Sequence, residues 1–241
     1  LVSFNGGTKD NAIPRECEAS LIYESDEEAA KAEELACELA ETYAEELTPA
    51  EPDFSCEISC ETNRTAEAIP QDAAKEFICA MRLAPNGIQK RNIKMDGFVV
   101  VSLNLGVVRT EEDRIVMIFS PRSSVASLQE DTKERLNTLA ETFGFTVSHS
   151  SEYPGWSFKE DSPVREICKE SYKELFGEDL KIEAIHAGLE CGLFSDAIKG
   201  LDAIAIGPTI ANCHTPDEYL TLDSFERFYE FLKDILSRLA K

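Results

Sequence analysis

Residues 98–108 read FVVVSLNLGVV, and residues 114–120 read RIVMIFS. Both runs are rich in β-branched and aromatic residues, and the polar stretch TEED at residues 110–113 separates them. Apolar runs of this length around a short polar connection are typical of a β-hairpin. The two runs therefore predict two antiparallel strands in the middle of the chain.

A second, shorter strand pair is predicted near the N-terminus, at residues 2–5 and 15–23. Apolar and polar residues alternate in the second of these strands, which is typical of a strand with one buried face. The side chains predicted to face inward are Cys17, Ala19, Leu21 and Tyr23. Further strands are predicted at residues 54–60 and 145–150.

Three helices are predicted among these strands. Ser25-Asp26-Glu27-Glu28 is a capping box, whose side chains satisfy free N–H groups of the first turn, and it opens an Ala-, Glu- and Leu-rich helix to about residue 47. The other two helices cover about residues 71–83 and 124–143. Residues 1–153 are therefore predicted to form an α+β domain, a ferredoxin-like antiparallel sheet with helices on one face.

The pattern changes at residues 153–156, YPGW, which contain the chain's only tryptophan. Beyond them the predicted order is helix, strand, short helix, strand and helix, which is typical of a parallel α/β sheet. The long helices and the strands of this region are predicted at residues 162–176, 181–185, 203–206 and 222–239. Residues 154–241 can supply only part of such a sheet, because a parallel sheet needs several strands and cover on both faces.

Two expectations follow from this partial α/β segment. The chain begins with Leu1 inside strand-like sequence, so we expect it to start within a longer polypeptide whose N-terminal portion supplies the missing strands. Strands near residues 185 and 206 would leave an unpaired edge or an uncovered apolar face, which proteins normally hide. We therefore expect a homodimer, strand exchange or a flexible C-terminal segment.

The formal net charge of −22 excludes nucleic acid and anionic membrane surfaces as partners, because binding to them depends on Lys and Arg. No apolar run approaches the roughly 20 residues of a membrane span. The eight cysteines have no regular spacing, which favours a reducing cytoplasm over a disulfide framework. Cys56 and Cys60, four residues apart, are interpreted either as strand packing or as part of a zinc site.

Two loops near the C-terminus contain the candidate site residues. Residues 185–192 read IHAGLECG and residues 207–218 read GPTIANCHTPDE, each after an apolar run. Sites in open α/β sheets form at such strand ends. His214 is the candidate metal ligand, because Pro216 stiffens its loop and the carboxylates that follow could orient its ring. His186 is interpreted either as a strand-end histidine bonded to a backbone carbonyl or as a substrate contact.

Several motifs, in this order along the chain, resemble those of the aminoacyl-histidine dipeptidases, also called cytosolic non-specific or Xaa-His dipeptidases, a branch of the di-zinc peptidases. The matching motifs are FNGGT (4–8), NAIPRE (11–16), SLNLGVV (102–108), SPRS (120–123), YPGW (153–156) and the stretches 185–194 and 206–218. The resemblance implies a zinc-bearing α/β catalytic domain interrupted by an inserted α+β lid domain. It also implies that residues 1–153 are most of the lid, which serves dimerisation and substrate capping, and that residues 154–241 are the returning C-terminal segment of the catalytic domain.

The resemblance implies roles for individual residues as well. His214 matches a histidine that binds one of two zinc ions. Arg122 matches an arginine that holds the C-terminal carboxylate of the substrate, for which a guanidinium fork is well suited. Asn11 matches an asparagine that faces the cleft as an amide donor. Three further residues match substrate-binding positions: Glu190, Gly188 and Asn104.

The family's other zinc ligands, including a His-x-Asp pair, and its glutamate general base are implied to precede the lid. None of the three histidines in this chain begins a His-x-Asp pair, and no catalytic residue is assigned. We therefore expect a portion of a zinc-dependent dipeptidase that hydrolyses Xaa-His and other dipeptides by metal-activated water, and we expect this chain alone to be inactive. The alternative is a stand-alone ferredoxin-like binding or interaction module without catalysis.

Overall fold

The structure is a computed structural model that describes residues 1–62, 65–93, 97–150, 154–156, 158–183, 190–213 and 217–240. These residues form the strands β1 (Ser3–Gly6), β2 (Cys17–Ser20), β3 (Gly87–Asn92), β4 (Phe98–Thr110), β5 (Ile115–Ser123), β6 (Ile210–Ala211) and β7 (Tyr219–Leu220). They form the helices α1 (Asp26–Leu47), α2 (Gln71–Leu83), α3 (Ala126–Phe143), α4 (Pro163–Phe176), α5 (Glu190–Ala197) and α6 (Leu222–Leu239). None of the described helices combines the length and the apolar content that a membrane span requires.

These elements are grouped in two compact units. Unit 1 consists of Leu1–Ala84, Asn104–Ser120 and Leu139–Phe145, and unit 2 consists of Pro85–Leu103, Pro121–Thr138 and Thr146–Lys241. Because β4, β5 and α3 are long, each of them begins in one unit and ends in the other. The division into a lid and a catalytic segment at residue 153 rests on the change of sequence pattern and on the family resemblance, and it stays a prediction.

The sheet of unit 1 is built on β1. This strand pairs antiparallel with β2 along its whole length, and it pairs antiparallel with the end of β4, where Gly6 lies opposite Val108. β4 also pairs with β5, and the Glu111 N–H donates to the Arg114 carbonyl across the connecting turn. The predicted N-terminal strand pair and the predicted hairpin are both confirmed.

The predicted burial of the second strand is wrong. Cys17, Ala19, Leu21 and Tyr23 are all exposed, and Leu21 is 57% exposed. The reason is the position of β2, whose one described partner is β1, so that it forms an edge of the sheet. Alternation of apolar and polar residues defines two faces of a strand, but it does not say whether another layer covers either of them.

The helices of unit 1 begin where the sequence predicts. The Ser25 hydroxyl accepts a hydrogen bond from the Glu28 N–H at 3.3 Å, and acidic residues fill the first turn of α1, where the helix dipole favours negative charge. α2 covers the predicted residues and buries Phe77, whose ring meets the ring of Phe4 edge to face at a centroid distance of 5.4 Å. This aromatic contact holds α2 against β1.

β3 in unit 2 is not predicted by the sequence pattern. It pairs antiparallel with the first half of β4, with Asn92 opposite Phe98. Its sequence, GIQKRN, is mostly polar and mostly exposed. Backbone hydrogen bonds to β4 hold this strand rather than burial of its side chains, so a search for apolar alternation does not find it.

The core of unit 2 lies between α4 and α6. Cys168 on α4 packs against Phe231 and Ile235 on α6, and none of the three is more than 5% exposed. The Ser162 hydroxyl caps α4, and Gly177, with φ of +71°, ends it. Both helices agree with the predicted ranges to within one residue.

The predicted strands at residues 54–60, 145–150 and 203–206 are wrong, because the structure gives these residues no strand pairing. The strand predicted at residues 181–185 lies partly outside the described residues, and its described part, residues 181–183, is not a strand. In the described part of residues 154–240, the strand pairing present is the antiparallel pair β6–β7, and no parallel sheet is seen there.

The apolar run at residues 203–206 is partly buried without forming a strand. Ile204 and Ile206 pack against the core between α4 and α6. A strand needs a neighbouring strand with which to exchange hydrogen bonds. Burial against helices satisfies the same apolar side chains without that requirement, which explains why the sequence pattern predicts a strand here.

A polar network also joins α4 to α6. The buried Ser171 hydroxyl donates to Asp234 Oδ2 at 2.6 Å, and Arg238 Nε donates to the same oxygen at 2.6 Å. Arg238 Nη2 donates to Glu174 Oε2 at 2.5 Å. The hydrogen bonds to Glu174 and Asp234 raise the pKa of the Arg238 guanidinium. Because a buried hydroxyl is costly without a partner, Asp234 stabilises the helix pair chiefly by accepting from Ser171.

We expect Asp234→Ala to lower the free energy of unfolding by about 1–3 kcal/mol, because it removes the acceptor of the buried Ser171 hydroxyl. The control is Asp179→Ala, which removes the exposed partner of Lys173 and should change the free energy by less than about 0.5 kcal/mol. Urea denaturation followed by circular dichroism measures both variants. If both variants lost the same free energy of unfolding, the stabilising role of the network would be contradicted.

Candidate functional site

Asn11 lies on a tight turn between β1 and β2. The Ala12 N–H donates to the Lys9 carbonyl at 3.3 Å, so residues 9–12 form a β-turn with Asn11 at its third position. The Asn11 side chain is exposed, and its carboxamide has no hydrogen-bond partner among the residues that the structure describes. Both its N–H donors and its carbonyl acceptor are therefore available to a ligand.

Asn104 on β4 holds this turn on both sides of Asn11. Its Nδ2 group donates to the Asp10 carbonyl at 2.9 Å and to the Ala12 carbonyl at 2.8 Å. A carboxamide nitrogen has two N–H donors, and the turn uses both. The structure therefore brings two of the predicted substrate-binding residues, Asn11 and Asn104, together within unit 1.

Two glycines allow the turn to lie directly against β4. A Cβ atom on Gly106 would come within 2.4 Å of the Asp10 carbonyl oxygen, and a Cβ atom on Gly7 would come within 1.9 Å of the Gly106 carbonyl oxygen. Gly7 also has φ of +72°, a conformation that glycine adopts readily. Both glycines belong to motifs that carry the family resemblance, but the motifs do not reveal that they touch each other.

Arg122 lies near the end of β5, in unit 2, and is partly buried. The next residue, Ser123, turns the chain, because its hydroxyl accepts from the Val125 N–H at 3.0 Å just before α3 begins. The Ser124 N–H donates to the Val100 carbonyl on β4 at 3.3 Å. The backbone that carries Arg122 is thus fixed where it leads into α3.

Residues 154–156 pack between this backbone and α5, all within unit 2. A Cβ atom on Gly155 would lie 2.9 Å from the carbonyl group of Ser124. A Cβ atom on Gly192, in α5, would lie 2.7 Å from the Pro154 carbonyl oxygen and 3.6 Å from the Cβ atom of Trp156. Contacts this short require glycine at both positions, so one short segment positions the end of β5 and the helix α5 together.

Glu190 is the first residue of α5 and is exposed. Its carboxylate lies at the end of the helix that favours negative charge, which stabilises the helix whether or not a ligand is bound. The predicted site residues Gly188 and His214 lie outside the described residues, as does His186. Their roles, and the substrate contacts of Arg122 and Glu190, stay predictions.

The described residues on either side of His214 form a small hairpin. β6 pairs antiparallel with β7, with Ile210 opposite Leu220. Asn212 follows β6 with φ of +55°, and its Nδ2 group donates to the Asp217 carbonyl at 3.4 Å. The described residues before and after His214 thus pair antiparallel, whereas the sequence predicts a loop at the end of a parallel strand.

The described residues do not form a metal centre. Among them, no three His, Cys, Asp or Glu side chains are grouped closely enough to hold a metal ion. Cys56 and Cys60 are exposed free thiols, which fits neither the predicted zinc site nor the predicted strand packing. His149 bonds through Nε2 to Asn137 Oδ1 at 3.0 Å. These residues by themselves do not fit a two-zinc site.

The chain is similar to known peptidases over nearly all of its length. The model of Peptidase family M20/M25/M40 matches residues 8–238. The cytosol non-specific dipeptidase of Escherichia coli (strain K12) is 32% identical over 243 aligned residues, which cover 99% of this chain and 49% of that protein. This chain therefore spans about half the length of the curated relative that it matches.

Solved structures show the same similarity. The aminoacylhistidine dipeptidase from Vibrio alginolyticus matches with a TM-score of 0.80 and 32% identity, over 99% of this chain and 48% of that chain. The aminopeptidase PepT from Bacillus cereus matches with a TM-score of 0.53 and 19% identity, over 70% of this chain and 45% of that chain, a similarity of fold alone. The predicted resemblance to the aminoacyl-histidine dipeptidases is confirmed.

We expect Gly192→Ala to displace α5 from residues 154–156, because the added Cβ atom would lie 2.7 Å from the Pro154 carbonyl oxygen. Trp156 is the chain's only tryptophan, so its fluorescence reports the displacement as a shifted emission maximum. The free energy of unfolding should fall by about 1–3 kcal/mol. Gly207→Ala, whose Cβ atom would meet nothing within 4 Å, should change neither quantity. Unchanged emission from Gly192→Ala would show that residues 154–156 do not pack against Gly192.

Proposed function

The chain belongs to peptidase family M20/M25/M40, and from this premise we propose that it is part of a zinc-dependent dipeptidase that hydrolyses Xaa-His and other dipeptides. The observation that supports this most strongly is the 32% identity, over 99% of the chain, to a cytosol non-specific dipeptidase and to an aminoacylhistidine dipeptidase. We also propose a cytoplasmic location, because the relative is cytosolic and all eight cysteines are free thiols.

Arg122 is proposed to bind the C-terminal carboxylate of the dipeptide. Its guanidinium offers parallel N–H donors that match the two oxygens of a carboxylate. The partial burial of Arg122 and the fixed backbone at Ser123 and Ser124 favour a single position for this group. Asn11 is proposed to donate from its exposed carboxamide to the substrate carbonyl or to the oxyanion that develops there. Glu190 and Gly188 are proposed as further substrate contacts, and Asn104 is proposed to contribute to substrate binding through the turn that carries Asn11.

Zinc is proposed from the family resemblance, with His214 as the ligand that this chain contributes. The described residues supply no further group of ligands. The other ligands and the general base are therefore proposed to lie in an N-terminal catalytic portion of a longer polypeptide. When bound, zinc ions in such enzymes supply an activated water. The described residues of this chain contribute to substrate binding, and alone the chain is proposed to be inactive.

The surface of α6 supports the proposal that another portion of polypeptide packs on this chain. Leu222, Phe225, Tyr229 and Leu236 are 47–76% exposed, and their spacing places them on one side of the helix. Phe231 and Ile235, on a different side, form the core with α4. An exposed row of large apolar side chains is typical of an interface. We propose that the N-terminal catalytic portion covers this row, and that a homodimer forms where that portion is absent.

We expect Arg122→Ala, in the longer protein, to raise the KM for an Xaa-His dipeptide about 30- to 150-fold, because it removes a charge-assisted pair of hydrogen bonds. The corresponding dipeptide amide lacks the carboxylate, so its kcat/KM should change less than about three-fold. Steady-state hydrolysis followed by chromatography measures both substrates.

The control for this experiment is Arg109→Ala. Arg109 is an arginine near the turn between β4 and β5, and its Nε group bonds to Glu111 Oε1 at 2.8 Å. This variant should leave kcat/KM unchanged for both substrates. If Arg122→Ala lowered kcat/KM equally for the dipeptide and for its amide, the proposed carboxylate contact would be excluded.

A further inference from the structure

Asn104 differs from the other residues assigned to the substrate because its donors are already in use. They are directed at the Asp10 carbonyl, 2.9 Å away, and at the Ala12 carbonyl, 2.8 Å away. Asn104 cannot donate these N–H groups to a ligand without releasing the turn. Asn11 lies between the two carbonyls, and its own carboxamide is unengaged among the described residues.

We propose that Asn104 is a positioning residue, which fixes the backbone on both sides of Asn11 so that the Asn11 carboxamide meets a dipeptide in one orientation. The identity of the ligand in this inference rests on the proposed function. Without Asn104 the turn keeps the hydrogen bond from Ala12 to Lys9, which is a long one at 3.3 Å. Two further bonds restrict the turn before binding, so that less conformational freedom is lost when a ligand arrives.

The strand β4 provides a surface that suits this role. Residues two apart on a strand share a face, so Asn104 and Gly106 lie on the same side of β4. Gly106 lets the Asp10 backbone approach so closely that a Cβ atom would lie 2.4 Å from the Asp10 carbonyl oxygen. Gly106 thus has no side chain that would hold the turn away from β4, and Asn104 supplies the donors that hold the turn in place.

Three variants separate the positioning role from other effects. Asn104→Asp keeps the size of the side chain but loses both donors and places a negative charge against two carbonyl oxygens. Asn104→Gln keeps the donors on a side chain one methylene longer, so it should keep part of the rigidity of the turn and part of the dipeptide affinity. Asn5→Asp is the matched control, because Asn5 Oδ1 accepts from the Thr110 N–H at 2.9 Å and a carboxylate keeps that acceptor.

The first measurement is the mobility of the turn in the 241-residue chain, by ¹⁵N relaxation without ligand. For residues 9–13 we expect backbone order parameters of about 0.85 in the unmodified chain and below about 0.6 in Asn104→Asp. Asn5→Asp should match the unmodified chain, and Asn104→Gln should lie between. Rigid residues 9–13 in Asn104→Asp would overturn the inference.

The second measurement is the affinity for an Xaa-His dipeptide, by NMR titration of the same variants and of Asn11→Ala. If Asn104 acts through Asn11, Asn104→Asp and Asn11→Ala should each weaken binding about ten-fold, and the double variant should also be weakened about ten-fold. A merely structural role for Asn104 would give independent losses, and a weakening of about one-hundred-fold in the double variant would overturn the inference.

The two measurements also separate this inference from the proposed function. If no dipeptide shifts the Asn11 signals in either the unmodified chain or the longer protein, the proposed substrate contact of Asn11 is wrong, and the relaxation data alone decide whether Asn104 holds the turn. If dipeptide binds and Asn11→Ala weakens it while Asn104→Asp does not, the proposed function stands and the positioning role is wrong.

Discussion

Close contact between backbone segments at glycine is the constraint on which both candidate binding regions depend. In unit 1 the turn that carries Asn11 lies against Gly106, at a distance that no Cβ atom could occupy. In unit 2 the segment 154–156 meets α5 at Gly192 in the same way. Backbone contacts of this kind leave little room for adjustment, because proteins are packed as closely as organic crystals. Of the side chains proposed to bind a ligand, Asn11 is exposed and Arg122 is partly buried, and hydrogen bonds fix the backbone at both positions.

This arrangement supports the proposed substrate binding rather than bond cleavage. The Asn11 carboxamide, which bonds to none of the described residues, lies on a turn held by Asn104, and Arg122 lies on a strand end held by Ser123 and Ser124. Hydrolysis of a peptide bond by a zinc enzyme also requires metal ligands and a base. The described residues do not group such ligands. The chain also spans about half of the dipeptidases that it matches. From these two facts we propose that this chain contributes to substrate binding and that another portion of polypeptide supplies the remaining metal ligands and the base.

Much of the fold is predictable where a local signal decides it. The capping residues Ser25 and Ser162 set the starts of α1 and α4, and the apolar runs around residues 110–113 predict the hairpin of β4 and β5. Strand predictions fail where a segment distant in sequence determines whether a stretch of chain forms a strand. Residues 203–206 are as apolar as a strand, but Ile204 and Ile206 pack against the core between two helices, whereas β3 is mostly polar and is held by hydrogen bonds to β4. A partner that is distant in sequence is not visible in a local pattern.

The candidate site shows the same limit. The motif resemblance selects Asn11, Asn104 and Arg122, but it assigns the first two the same kind of role. Their difference appears only in the structure, where one carboxamide is engaged by the backbone and the other is exposed. The contact between Gly7 and Gly106 joins positions far apart in the sequence, and no spacing rule predicts it.

The decisive measurement is the hydrolysis of an Xaa-His dipeptide by the purified chain with added zinc, measured beside the longer protein and together with the zinc content of each. We expect hydrolysis and two bound zinc ions for the longer protein, and neither for the chain alone. Turnover by the isolated chain with two tightly bound zinc ions would show that this chain forms a complete catalytic site by itself.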